Sequence, residues 1–395
     1  MRRDKVAASV IADRLQGLGA SPTLALAAKA KALRQAGKPI LDFTAGEPDF
    51  PTPQPIKAAG IRAIEANQTK YTPVAGIPEL RAAIATHLSQ RLGVRYESAQ
   101  VLVSCGAKHV LYNALQALCQ AGDEVVVLSP YWVSYLPLVQ LTGAKPVIVE
   151  TREDARFQPD LHALEAALTT RTTAIILNSP SNPTGMLIER PRLAALAQLA
   201  MERDLMVISD EIYDQLVFAP DDACSILRVE PRLAGQTVVV NGVSKTYSMT
   251  GWRIGYAVGP REVVDAMEVL QSHATSNPAS ISQHAALAAI TGDQSEASRM
   301  RSEFQRRRDR LVNGLNQLPG LSCLMPQGAF YAWCNISRLH QPAEVIARRW
   351  LEEALLVAVP GEGFGSTDHI RFSFATPCEV IDEGLARLAR WLQKP

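Results

Sequence analysis

A lysine at the end of an apolar run is the first residue here whose placement asks for a chemical reason. Lys245 follows the strand-like TVVVNGV, and within NGVSKTYSMTGWRIGYAVG (241–259) Arg253 comes eight residues later, between glycines. A solvated surface lysine would account for one charge but not for two in a rigid, Gly-flanked setting. At a strand terminus, burial can lower the pKa of a lysine so that its amine serves as a nucleophile.

Other segments offer chemistry of the same style, each with a plainer reading beside it. In SCGAKHVLYNAL a strand ends at Cys105, Gly106 permits a turn and a helix starts near Ala107 and Lys108. Backbone N–H groups at such a start favour an anion, though an ordinary strand-to-helix turn looks the same. In LNSPSNPTGMLI the prolines and Gly185 force an irregular turn around Asn182, whose amide can donate to an oxygen above a sheet; plain turn chemistry uses the same residues. In VISDEIYDQLVF, Asp210 ends an apolar strand and Tyr213 follows, a carboxylate for a protonated ring nitrogen and a phenol for a neighbouring oxygen, or simply a helix N-cap. Trp132 in SPYWVSY can stack on a flat ring or fill a core. Arg371 in HIRFSFAT sits in an alternating strand pattern, where an arginine usually faces water.

The combination outweighs its parts. An anion-binding helix start, an aromatic plate, an amide, a carboxylate with a phenol, a lysine and two arginines form the set that pyridoxal phosphate asks for.

Such residues need a scaffold that gathers them. Between about residues 75 and 290, short apolar runs at 101–105, 124–130, 145–150, 173–180, 205–211, 237–242 and 254–259 alternate with helical stretches such as AKHVLYNALQALCQ and PRLAALAQLAMERD. Strands apolar on both faces and joined by helices indicate an α/β layer, a mainly parallel seven-stranded sheet flanked by helices. Ligands in such sheets bind beyond the carboxyl ends of the strands, where most of these polar residues fall. From about residue 300 the pattern changes to a long charged helix, two strands (AFYAWCNI, HIRFSFAT) and a closing amphipathic helix, EVIDEGLARLARWLQK. This reads as a smaller α+β domain packed with the N-terminal segment.

Composition excludes several classes. Forty basic residues against thirty-nine acidic leave a net charge of +1, with no tail to suit a nucleic acid. Six singly scattered cysteines fit neither a zinc site nor a disulfide framework and read as reduced thiols in a cytoplasmic enzyme. MRRDKVAASVIADRL, with Asp4 and Asp13, reads as neither a signal nor a transit peptide, and no apolar run reaches membrane-spanning length.

At TAGEPDF, KYTPVAGIPELR, GAK, SPYWVSY, NSPSNPTG, SDEIY, SKTYSMTGWRIGY and RFSFAT, the chain resembles the class I, fold-type I pyridoxal-phosphate aminotransferases. It is most similar to the bacterial aspartate aminotransferases of the short-N-terminus branch. The resemblance implies Lys245 as the lysine that carries the cofactor and moves the substrate proton, and Asp210 as the partner of the pyridine nitrogen. Asn182 and Tyr213 become donors to the ring oxygen, and Trp132 the stacking plate. Gly106, Ala107, Lys108 and Arg253 become the phosphate site, joined by Tyr71 from the other subunit of a homodimer. Arg371 becomes the clamp on the substrate α-carboxylate, with Gly46, Trp132 and Asn182 beside it. Many relatives carry a serine three residues before the lysine; here Gly242 stands there, and Ser244 is the nearest substitute. Lys108 suits the distal carboxylate of aspartate, so transfer between L-aspartate and 2-oxoglutarate is expected. A broader enzyme for aromatic, prephenate or neutral amino acids, or a β-lyase on the same scaffold, is the alternative. The implied layout is an N-terminal arm and part of the small domain in 1–45, a large cofactor-binding domain in 46–295, and the rest of the small domain in 296–395.

Overall fold

Alternation along the apolar runs decides the architecture. In the computed structural model, which describes residues 12–15, 22–218 and 223–393, seven of these runs form one sheet. They are β1 (Val101–Ser104), β2 (Glu124–Ser129), β3 (Lys145–Glu150), β4 (Thr172–Asn178), β5 (Met206–Asp210), β6 (Thr237–Gly242) and β7 (Gly255–Val258). Successive side chains point to opposite faces. Val126, Ile175, Val207 and Val239 therefore enter one apolar core, while Val127, Ile176, Ile208 and Val240 enter a second on the other face. Each valine or isoleucine fully removed from water contributes about 1.5–3 kcal/mol, so only a sheet covered on both sides satisfies the pattern.

The strand order is β1-β7-β6-β5-β4-β2-β3, parallel throughout except for β7, which runs antiparallel to both neighbours. That reversal matters for the site. The carboxyl ends of β2, β4, β5 and β6 and the amino end of β7 meet at one edge, so residues before β7 arrive beside residues after β5 and β6.

The C-terminal part builds a second, antiparallel sheet from β8 (Ser322–Cys323), β9 (Tyr331–Asn335), β10 (Val359–Pro360) and β11 (His369–Ser373), in the order β10-β11-β9-β8. Its helices are Ser295–Asn316, Ala343–Glu353 and Cys378–Leu392. Trp350, Phe372, Phe374 and Phe43 fill the core they share. Leu41–Asp42 pairs in parallel with Leu356–Val357, which joins the N-terminal segment to this part. Of the expected N-terminal arm, residues 1–11 and 16–21 lie outside the described residues. Among the described residues no helix is long and apolar enough to cross a membrane.

Candidate active site

A cavity of about 580 Å³ opens at the carboxyl edge of the large sheet and is closed on its far side by the smaller one. Gly46, Ala107, Lys108, Trp132, Asn182, Asp210, Tyr213, Lys245, Arg253 and Arg371 all line it. Two expected residues do not. Gly106 is buried against Arg253, and Tyr71 stands 93% exposed on the surface of the single chain.

Lys245 follows β6 and points its Nζ into the cavity, donating to the Gly46 carbonyl at 2.6 Å. Burial pushes its pKa down to about 8; nearby Glu47 opposes the shift, while Arg253 and Arg371 add to it. The neutral amine is thus far more populated at physiological pH than in an ordinary lysine, as a nucleophile requires.

Asp210 closes β5 fully buried. Burial raises its pKa to about 6, against a hydrogen bond from the Tyr135 hydroxyl to Oδ2 at 2.7 Å and one from the Ile212 N–H to Oδ1 at 3.3 Å. A carboxylate held ionised in so dry a place is a receptor for a cationic N–H group. Tyr213 meets Tyr331 hydroxyl to hydroxyl at 3.1 Å, and burial lifts its pKa well above the ordinary phenol value.

The helix Ala107–Leu118 begins at this edge, so its first N–H groups have no partner within the helix. Arg253, just before β7, lies against Gly106: a Cβ there would come within 2.4 Å of the guanidinium, and the φ of +88° already favours glycine. Helix start and arginine together make a cradle for a phosphate-like anion. Ser244 lines the cavity beside them. At Gly242 a Cβ would sit 3.0 Å from both the Gly255 Cα and the Ile254 carbonyl, so this position is crowded.

Arg371 overturns the plain reading of its strand pattern. It is 3% exposed, and among the described residues no carboxylate pairs with it. Its donors reach the Asn182 Oδ1 at 2.9 Å and the Thr44 carbonyl at 3.2 Å, its Nε is buried without a partner, and the Tyr331 ring lies 4.3 Å from it. Lys108 also faces the cavity without a carboxylate partner among the described residues, as Lys245 and Arg253 do; its Nζ lies 4.8 Å over the Trp132 ring, and burial, then Arg253, lowers its pKa.

The match with known proteins decides what this arrangement belongs to. The profile of the family "Aminotransferase class I and II" covers residues 38–388. The chain belongs to the class I and II aminotransferases. An aspartate aminotransferase from Geobacillus stearothermophilus is 44% identical over 97% of the chain and 99% of its own length. An aspartate/prephenate aminotransferase from Cereibacter sphaeroides is 45% identical over 96% and 97%. The structure of the Thermus thermophilus aspartate aminotransferase with maleate superposes with a TM-score of 0.92 at 42% identity, covering 97% of this chain and all of that one.

The aminotransferase cofactor is pyridoxal 5′-phosphate, and the residues present fit it. The anion cradle suits its phosphate, buried Asp210 its ring nitrogen, the lowered Lys245 amine its aldehyde and Trp132 its flat face. Among the cavity residues that escaped the sequence reading are Tyr135, Tyr331 and Glu47, which accepts from the Thr250 hydroxyl at 2.6 Å. Their segments, SPYWVSY, AFYAWCNI and TAGEPDF, were conspicuous, but an aromatic in a helix or strand reads as core.

Proposed function

We propose that this aminotransferase exchanges the amino group between L-aspartate and 2-oxoglutarate. The observation that carries the reading is the pair of cations, Arg371 and Lys108, that the cofactor roles of Lys245 and Arg253 leave over on one cavity. Arg371 is buried without a counter-ion, and Lys108 reaches the same space over Trp132. An unpaired buried cation is costly, and a ligand carboxylate removes that cost. Two cations facing one cavity suit a dicarboxylate, and the Thermus relative was solved with one, maleate. Aspartate, glutamate and their oxo acids share that form.

Bound here, pyridoxal phosphate supplies an aldehyde for the substrate amine and a pyridinium ring that takes up the electron pair left at Cα. The chain's own residues do the rest. Arg371 takes the α-carboxylate in a bidentate grip, with Asn182 steadying the guanidinium. Lys108 takes the distal carboxylate. Lys245 Nζ, displaced from the cofactor and neutral, removes the Cα proton and delivers it across the same face. Asp210 holds the ring nitrogen protonated, Asn182 and Tyr213 donate to the ring oxygen, and Trp132 fixes the ring plane. Ala107 and Lys108 N–H groups with Arg253 hold the phosphate.

The same reading includes a homodimer in which the exposed Tyr71 reaches the neighbouring phosphate site. It also includes a cytoplasmic location, supported by six free thiols, and the division at about residues 45 and 295. Adding L-aspartate alone to the cofactor-saturated enzyme should replace its visible absorption with that of the aminated cofactor. An unchanged spectrum would remove aspartate as substrate. Release of pyruvate and ammonia from an amino acid with a β leaving group, without amination of the cofactor, would favour the lyase.

A further inference from the structure

The sequence scatters the six cysteines, but the smaller sheet sets two of them face to face. Cys323 on the two-residue edge strand β8 is the register partner of Cys334 on β9. Directly opposed residues on antiparallel strands share a face, and both side chains enter the same core. Asn316 takes both backbone groups of Cys323, donating to its carbonyl at 3.0 Å and accepting from its N–H at 2.7 Å. Those groups therefore point away from β9, which makes this a non-hydrogen-bonded pair. Such pairs hold their Cα atoms about 4.5 Å apart, inside the range that a disulfide spans. Each thiol donates to the carbonyl of the residue that follows it, Cys323 to Leu324 at 3.3 Å and Cys334 to Asn335 at 3.7 Å, and each also lies within hydrogen-bond reach of the opposite strand's backbone, Cys323 at Trp333 and Cys334 at Ser322.

We propose that Cys323 and Cys334 are a modification site, joined by a reversible disulfide when the folded enzyme meets a small disulfide oxidant. With glutathione disulfide, the Cys323 thiolate attacks one sulfur, forming a mixed disulfide and releasing one glutathione thiolate. The Cys334 thiolate then attacks the Cys323 sulfur, closing the protein bond and expelling the second. Two electrons pass to the oxidant, and the two cysteine protons end on the released thiols. Cys323 reacts first because it is on the edge strand and 7% exposed, whereas Cys334 is wholly buried. Burial pushes the Cys323 thiol up to about 12 and raises Cys334 well above the ordinary thiol value, so the reaction waits for β8 to open and is slow. The bond bears on the active site because the chain between the two cysteines carries Phe330, 5.8 Å from Lys245 Nζ, and the cavity residue Tyr331. Oxidation tethers the hairpin that presents them.

The test incubates the cofactor-loaded enzyme with glutathione disulfide and, separately, with the smaller oxidant diamide, then counts thiols after unfolding. The count should fall from six to four, two fewer, and return with dithiothreitol. No lysine or arginine lies between Arg310 and Arg338, so both cysteines fall in one tryptic peptide, which should lose about 2 Da. Chymotryptic cuts after Phe330 or Tyr331 should give two fragments held together until reduced. In Cys334→Ser, Cys323 should instead end as a stable glutathione adduct. Six thiols retained under both oxidants would overturn the proposal. So would a bond from either cysteine to a different one, or separate adducts on both.

Discussion

Replacing Arg371 by methionine should move activity and stability in opposite directions. The guanidinium is fully buried and spends two donors on neutral acceptors, Asn182 and Thr44, with no described carboxylate beside it. Truncating one member of a buried, charge-assisted pair costs about 2–5 kcal/mol. The kcat/KM for L-aspartate should therefore fall by about 30- to 4,000-fold, since each 1.4 kcal/mol is tenfold. Oxaloacetate formation coupled to NADH oxidation by malate dehydrogenase measures this. The cofactor-free protein should meanwhile gain about 1–2 kcal/mol, because the variant removes an unpaired buried charge and keeps its apolar stem. The gain is partial, since the cation–π contact with Tyr331 goes too. Urea midpoints measure it. An amine lacking the α-carboxylate should react equally with both proteins. A loss under threefold on aspartate, or an equal loss on the simple amine, would refute the clamp. A parallel fall in stability would make Arg371 a structural cross-link instead.

Three further outcomes follow from the same cavity. Lys245, at about 8 against 10.5 for an ordinary lysine, should be about 9% neutral at pH 7 rather than about 0.03%, roughly a 300-fold gain in free amine. Trace acetylation of the cofactor-free protein across pH measures that titration, and a midpoint near 10 would contradict it. Asp210 is raised from 3.8 to about 6, so the folded chain holds its proton more tightly than the unfolded one. The stability this gives is complete below about pH 4 and is lost as pH rises through 6, about 3 kcal/mol in all. Asp210→Asn in the cofactor-free protein should therefore be the more stable form at pH 8, with the gap closing by pH 4; a gap constant with pH would contradict the shift. Lys108→Ala should cost about 10- to 100-fold in kcat/KM on aspartate and less than threefold on phenylalanine. Equal losses on both would remove its role in specificity.

Much of this was legible in the sequence because burial on both faces leaves an unmistakable pattern. TAIILN and TVVVNG have no polar face to offer water, so the sheet and its carboxyl edge could be placed from residue type alone, and Lys245 and Asp210 with them. The reversal of β7 was not drawn, although its signal was present. Parallel neighbours need a crossover of a dozen or more residues, usually with an α-helix, and VSKTYSMTGWRI between Gly242 and Gly255 carries no more than a three-residue 3-10 turn, Thr250–Trp252. Arg371 was legible only through resemblance. Alternation in HIRFSFAT says which residues share a face, but not that β9 and β10 flank this strand, nor that Phe364 and Tyr331 cover the guanidinium.

Tyr135 and Tyr331 show a different limit. A phenol announces its function through its partner, and the partners here lie 75 and 118 residues away in sequence, at Asp210 and Tyr213. Pattern reading assigns such rings to the core, which is correct for the ring and silent about the hydroxyl. The two tyrosines have a common logic. Each spends its one polar atom on a residue that faces the cofactor, so the apolar core reaches the edge of the cavity without leaving a buried donor unpaired. What remains unpaired is Arg371 Nε, with the Lys108 amine facing the same cavity, and these are the charges that the proposed substrate would balance. The protein's own hydrogen bonds thus fix the cofactor's surroundings before any ligand arrives, and leave the cost of the cations for the substrate to relieve.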